Sequence, residues 1–186
     1  MIKALVSLSV IGLILSGCMT TKPTAENVKT YHDSFKNVKR WYYPPTVQGY
    51  RAKEMVQYFN TVLPASFQLK YSDEPVVDPH TPKTGYIKIS RMSKSKWNTG
   101  GSKVNNYVEA FSRGWWYGDM MDRSIIYLDT NECMTSNILK HEMMHSLGFY
   151  TGHVDSFHDT ILKTRGCKMT KLSEIDKAAL LKLYDR

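Results

Sequence analysis

The residues best suited to chemistry lie in one short stretch of the chain, from His141 to His153. Residues four apart in a helix lie on one face, so His141 and His145 can present two imidazoles to a single metal ion. Glu142 lies beside that pair, where it could take a proton from a metal-bound water. Gly148 allows the helix to end with a positive φ, and the turn that follows can return His153 as a third nitrogen ligand. Three protein ligands with one water indicate a catalytic zinc, because a structural zinc has four protein ligands.

The third ligand is the least constrained part of this pattern. His153 is the first choice, because neutral imidazole is a common zinc ligand and the preceding Gly152 frees the backbone. Asp155, His158 and Glu174 are the alternatives. Where His153 is the ligand, Asp155 can instead accept a hydrogen bond from a ligating imidazole. A helix whose histidines are only hydrogen-bonded, with no metal, is the competing interpretation.

Apolar periodicity predicts the elements that must position this site. Helices are expected over 52–63, 136–147 and 172–184, and strands over 67–71, 86–90, 108–117 and 124–128. The order of helix, strands, histidine helix, loop and final helix indicates an α+β fold with a cleft between a larger and a smaller half.

The run over 141–153, His-Glu-x-x-His-x-x-Gly followed by Gly-His, resembles the metzincin zinc peptidases, and among them the matrixin-like branch. His153 comes eight residues after His145, which is two more than the family pattern has. The family also has a methionine-bearing turn beneath the zinc, and Leu162 stands where that methionine is expected. Residues 172–184 are similar to the last helix of matrixin catalytic domains.

The resemblance implies a zinc-dependent endopeptidase in which His141, His145 and His153 hold Zn²⁺ and Glu142 is the catalytic base. It also implies a metzincin-like α+β fold, with a twisted mixed sheet, an active-site helix and a C-terminal helix. An edge strand would line the cleft and pair with a peptide or protein substrate. Two other functions stay open: a non-catalytic zinc-binding module that keeps the fold, and a zinc amidase acting on cell-wall peptides.

The start of the chain has the layout of a secretion signal. Residues 1–3 are short and positively charged, and the apolar stretch 4–15 is too short to span a membrane. Residues 15–18, Leu-Ser-Gly-Cys, resemble the lipobox of bacterial lipoproteins, which implies cleavage before Cys18 and its acylation, palmitate included. Met19 in place of Asp favours, by the same resemblance, the outer membrane, facing the periplasm or the cell surface. A plain signal peptide with an incidental cysteine is the alternative.

The other two cysteines are Cys133 and Cys167. An exported chain meets an oxidising compartment, where such a pair tends to form a disulfide. This bridge would join the segment before the histidine helix to the segment before the final helix. Two separate thiols are the alternative.

Length and composition suit one folded domain behind a targeting segment, because 42% of the 186 residues are hydrophobic. We divide the chain into a signal peptide (1–17), a lipidated cysteine with tether and lead-in (18–48, flexible over 19–30), and a zinc metallopeptidase-like catalytic domain (49–186). The net charge is +8, but the lysines are scattered, which favours a solvated surface over nucleic-acid binding. The expected partners are therefore the substrate and the membrane, and the expected state is a monomer.

Overall fold

The computed structural model describes residues 22–35, 37–101, 108–130, 135–150, 152–153, 160–162 and 170–185. Within these ranges the helices are α1 (Ala25–Asp33), α2 (Ala52–Asn60), α3 (Thr135–Ser146) and α4 (Glu174–Tyr184). The strands are β1 (Asn37–Val38), β2 (Arg40–Trp41), β3 (Thr46–Gly49), β4 (Lys70–Ser72), β5 (Tyr86–Arg91), β6 (Ala110–Tyr117), β7 (Met120–Leu128) and β8 (Phe149–Tyr150). No helix in the described ranges is both long enough and apolar enough to cross a membrane.

A mixed, mostly parallel sheet forms the frame of the molecule. Strands β4, β3, β5 and β7 lie side by side in that order and run parallel. β2 pairs parallel with the first residues of β7, and β6 pairs antiparallel with β7 on the edge away from β5. In the described part of the chain β6 pairs with β7 alone, so it is an edge strand. This architecture confirms the coarse prediction of a mixed α+β fold.

The sheet and the helices share one main hydrophobic core. Side chains alternate along a strand, and the residues that face this core, Val47 of β3 with Ile87 and Ile89 of β5, are at most 1% exposed. Helix α3 contributes Leu139 and Met143 to the same core, both fully buried. Burying such a side chain stabilises a fold by about 1.5–3 kcal/mol, so α3 is held firmly against the sheet.

Most predicted elements are present within a few residues of their expected bounds. The predicted ranges 52–63, 136–147, 172–184, 86–90, 108–117 and 124–128 correspond to α2, α3, α4, β5, β6 and β7. The strand predicted over 67–71 begins later, at Lys70. The Asn60 side chain hydrogen-bonds both backbone polar groups of Leu69, so these groups do not take part in strand pairing. Asn60 Nδ2 donates to the Leu69 carbonyl at 3.0 Å, and Asn60 Oδ1 accepts from the Leu69 N–H at 2.8 Å.

The prediction of a flexible tether over 19–30 is wrong from Ala25 onward, because that part of the chain is helix α1. The Thr24 side chain caps its first turn. Val28 and Tyr31 are three residues apart, lie on one face and are buried where α1 packs against α4. Burial of that face offsets the conformational entropy lost on ordering the segment.

Candidate metal centre

Helix α3 ends close to where the sequence predicts. Its last residue is Ser146, and Gly148 follows with φ 125°. The last carbonyl groups of a helix have no hydrogen-bond donor within the helix. Here two side chains from distant elements donate to them. Trp41 Nε1 donates to the Ser146 carbonyl at 2.9 Å, and the Tyr184 hydroxyl donates to the Leu147 carbonyl at 2.5 Å. The orientation of α3, and of the histidines that it carries, is therefore fixed at its C-terminal end.

Backbone carbonyls set the tautomers of the two histidines on α3. His141 Nδ1 lies 2.6 Å from the Ile161 carbonyl oxygen, and His145 Nδ1 lies 2.7 Å from the Phe149 carbonyl oxygen. A carbonyl oxygen only accepts, so each Nδ1 carries the proton and donates it. In the neutral rings the lone pair is then on Nε2, which is the arrangement that a metal-binding histidine needs.

The three predicted histidine ligands converge. The Nε2 atoms of His145 and His153 each lie 3.2 Å from Nε2 of His141, and the ligand atoms of all three residues lie within 4.8 Å of one another. Tetrahedral Zn–N bonds of about 2.0–2.1 Å would place two nitrogen ligands about 3.3 Å apart. Facing lone pairs at such a distance repel each other unless a cation lies between them. These three side chains could therefore hold a metal ion, and two of their three separations match those expected of zinc ligands.

Burial keeps the two imidazoles of α3 neutral. Desolvation lowers the pKa of His141 to about 4 and the pKa of His145 to about 3, against the opposing effect of their backbone hydrogen bonds. At neutral pH protonation therefore does not relieve the repulsion between the Nε2 atoms, and the lone pairs are available to a metal. His153 is exposed, so the centre is accessible to solvent on that side.

Glu142 lies between the helix and the edge strand. Its side chain is buried, and desolvation raises its pKa to about 8, partly opposed by a hydrogen bond from the Ser112 backbone N–H of β6. The Ser112 hydroxyl also lies 2.9 Å from the Ser146 hydroxyl of α3. The edge strand and the histidine helix are thus joined at Glu142 and again one turn later at Ser146, which limits the freedom of the carboxyl group.

Residues 160–162 form a turn that supports His141 through the Ile161 carbonyl. Leu162, at the position where the family resemblance expects a methionine, is fully buried in the main core. Leucine and methionine have similar volumes, so Leu162 fills this part of the core as a methionine would.

Sequence reasoning missed Asp176, a fully buried residue in the first turn of α4. Its Oδ2 accepts hydrogen bonds from the Ile161 N–H at 3.0 Å and from the Ser173 N–H and hydroxyl at 3.0 and 2.8 Å. Its Oδ1 accepts from the Thr160 and Tyr31 hydroxyls. Ser173 and Asp176 form the capping box of α4, and this Ser-x-x-Asp spacing was the available signal. One carboxylate therefore fixes both the start of α4 and the turn under His141.

Of the alternative third ligands, only Glu174 lies in the described residues. It is half exposed, accepts a hydrogen bond from Lys177 at 2.6 Å and is not part of the metal-binding group. Asp155 and His158 lie outside the described residues. The same holds for the signal peptide, for the lipidation site Cys18, and for the expected disulfide between Cys133 and Cys167.

Comparison with known proteins found no match to the chain among protein-family models, curated proteins or solved structures. The case for a metal here rests on the positions and hydrogen bonds of the three imidazoles.

Proposed function

We propose that the protein is a zinc-dependent endopeptidase with a metzincin-like catalytic domain. One observation carries the proposal. Two buried histidines have their Nδ1–H groups held by backbone carbonyls. Nε2 of His141 lies 3.2 Å from Nε2 of both His145 and His153, a separation suited to two ligands of one zinc ion. Because both Nδ1 atoms carry protons, a hydrogen bond between the facing Nε2 atoms of His141 and His145 would require a protonated ring, and burial of both residues opposes that protonation.

Glu142 would act as the general base and acid of hydrolysis. A zinc ion held by the three imidazoles would polarise a peptide carbonyl and lower the pKa of a water molecule. The Glu142 carboxylate would accept a proton from this water as the water oxygen bonds to the scissile carbonyl carbon, and would deliver that proton to the amine as the carbon–nitrogen bond breaks. Burial alone favours the neutral acid, and a neighbouring divalent cation would restore the ionised carboxylate.

The edge strand β6 supports a peptide as the substrate. Its outer edge forms no strand pairing in the described part of the chain, and Ser112 places this edge next to Glu142. The Tyr150 hydroxyl already accepts the Gly114 N–H of this edge at 2.5 Å. An extended peptide that adds to β6 through backbone hydrogen bonds, with its carbonyl groups in a fixed register, must therefore displace Tyr150 or pair beyond it. An edge strand beside the histidine helix is also what the family resemblance implies.

The substitution Glu142→Gln tests the proposal. We expect the variant to bind zinc like the parent chain and to lose peptide hydrolysis by at least about 100-fold, the usual contribution of a general base. Glu174→Gln is the matched control, since it makes the same chemical change at an exposed position and should retain both properties. Undiminished proteolysis by Glu142→Gln would refute the role of this residue. Zinc binding by the parent without hydrolysis of any peptide in a library would favour a non-catalytic module.

We also propose that the domain is a monomer anchored at the outer membrane through acylated Cys18. The sequence of residues 1–18 supports the anchor, because a short basic start and a brief apolar stretch lead to Leu-Ser-Gly-Cys. Mass spectrometry of the mature protein should find an N-terminal Cys18 carrying acyl chains. An unmodified cysteine would contradict the anchor and leave the metal centre unaffected.

A further inference from the structure

Helix α1 contacts the segment that supports His145. Two rings of α1 and one just beyond its end pack around the ring of Phe149. The distances between ring centroids are 5.6 Å for Tyr31, 5.3 Å for His32 and 5.2 Å for Phe35. The carbonyl of Phe149 is the acceptor that holds the Nδ1–H of His145. The aromatic cluster therefore positions the backbone group that orients one metal ligand.

Strand pairing fixes the same segment a second time. β1 follows α1 directly and pairs antiparallel with β8, with Asn37 opposite Tyr150 and Val38 opposite Phe149. Just beyond β1, the Lys39 N–H donates to the Gly148 carbonyl at 2.9 Å. The chain from Gly148 to Tyr150, which follows the second histidine of α3, is thus held by the N-terminal part of the protein.

Tyr31 connects α1 to the other histidine support. Its hydroxyl donates to Asp176 Oδ1 at 2.7 Å and lies 3.2 Å from the Thr160 hydroxyl. Asp176 accepts the N–H of Ile161, whose carbonyl holds His141. Burial and the nearby Asp176 raise the pKa of Tyr31 well above its usual range, so the hydroxyl stays a donor. A continuous set of hydrogen bonds therefore runs from α1 to His141.

We propose that Tyr31 is a positioning residue for the metal centre, and that docking of α1 is thermodynamically coupled to metal binding. The inference rests on the proposed zinc site. The N-terminal segment supports both carbonyls that orient ligand imidazoles. Helix α1 supports the Ile161 carbonyl through Tyr31 and Asp176 and the Phe149 carbonyl through ring packing, and β1 adds strand pairing at Phe149. Coupling is reciprocal, so zinc must hold α1 against α4 as strongly as docked α1 favours zinc. Any force that pulls the N-terminal segment away would then weaken metal binding.

The test compares Tyr31→Phe with Tyr58→Phe in the full chain. The Tyr58 hydroxyl also contacts the start of α4, where it accepts the Leu172 N–H at 2.7 Å, but it has no hydrogen bond to Asp176. Both variants lose one tyrosine hydroxyl from the same neighbourhood. Zinc affinity is measured by competition with a chromophoric chelator, and the visible spectrum of the Co²⁺-loaded protein reports ligand geometry.

We expect Tyr31→Phe to weaken zinc binding about 10-fold, the lower end of the effect of outer hydrogen-bond partners, and to change the Co²⁺ spectrum. Tyr58→Phe should leave both properties as in the parent. Equal affinity and identical spectra for the two variants would overturn the inference, because a purely structural hydroxyl affects only the unfolding midpoint. A parent chain that binds no zinc would instead overturn the proposed function.

Hydrogen exchange on the parent protein gives a second measurement that needs no variant. Coupling requires the α1 amides to exchange more slowly with zinc than without it. Equal exchange of α1 in the two states, with slower exchange confined to α3, would also overturn the inference.

Discussion

Gly148 lies so close to Lys39 that a Cβ atom at Gly148 would be 1.9 Å from the Lys39 carbonyl oxygen. The two residues are also joined by a hydrogen bond from the Lys39 N–H to the Gly148 carbonyl at 2.9 Å. The end of the histidine helix and the N-terminal segment therefore meet backbone to backbone, with no room for a side chain between them. The glycine that sequence analysis identifies as a helix stop has this second role, which depends on a residue more than a hundred positions away.

We expect Gly148→Ala to destabilise the fold by about 3 kcal/mol or more, since it adds a severe contact to an unfavourable backbone conformation. Gly152→Ala is the control, because Gly152 has a similar φ of 130° but no atom within 4 Å of an added Cβ. It should show the cost of the backbone conformation alone, about 1–2 kcal/mol. Denaturant unfolding of the metal-free proteins measures both. Equal losses for the two variants would show that the contact with Lys39 is easily relieved.

Loss of His153 should weaken zinc binding by more than about 100-fold, beyond the effect of losing an outer hydrogen-bond partner. His80→Ala is the matched control, because His80 contacts Tyr127 at 3.2 Å and is not part of the metal-binding group. Metal analysis after dialysis, with a chelator titration, measures the difference. Full zinc retention by His153→Ala would assign the third ligand to another residue, with Asp155 and His158 the next to substitute.

Local spacing was sufficient to predict that His141, His145 and His153 come together. His141 and His145 lie on one face because a helix repeats every 3.6 residues, and α3 forms where the apolar pattern predicts it. His153 needs only a short return of the chain after Gly148. These relationships involve neighbours in sequence, where pattern and structure correspond closely.

The elements that the sequence did not reveal depend on distant partners. Helix α1 has only Val28 and Tyr31 as buried residues, too weak a pattern to stand out from a polar segment. β3 is a four-residue strand, Thr46–Gly49, whose place between β4 and β5 follows from pairing with chain that comes later. The role of Asp176 likewise becomes visible only when its hydrogen-bond donors are assembled from three separate segments.

Asp176→Asn should destabilise the protein by about 2–3 kcal/mol, because an amide nitrogen would face groups that donate hydrogen bonds. It should also weaken zinc binding, since the Ile161 N–H would lose part of its support. Asp185→Asn, at the exposed end of α4, is the control and should change stability by less than about 0.5 kcal/mol. Unfolding by denaturant, with and without zinc, measures both effects. Equal stability of the two variants would contradict the central role of Asp176.

The docking of α1 should weaken on acidification through His32. Its Nε2–H donates to the Ala179 carbonyl of α4 at 3.0 Å. Burial lowers the pKa of His32 below 6.5, and Lys182 lowers it further, while the hydrogen bond and Asp33 oppose them. The unfolded chain therefore binds a proton before the folded one does, so stability falls as the pH falls below about 6.5. The loss is complete once the pH is below the pKa that His32 has in the fold.

His32→Phe isolates this contribution, because phenylalanine can keep the edge-to-face contact with Phe149 but cannot titrate. His141 and His145 also resist protonation in the fold, and their effect is the same in both proteins. The free energy of unfolding of the metal-free parent should therefore fall more steeply between pH 7 and pH 5 than that of the variant. Parallel pH profiles would mean that His32 titrates alike in the folded and unfolded chains, and that α1 docking is insensitive to pH over this range.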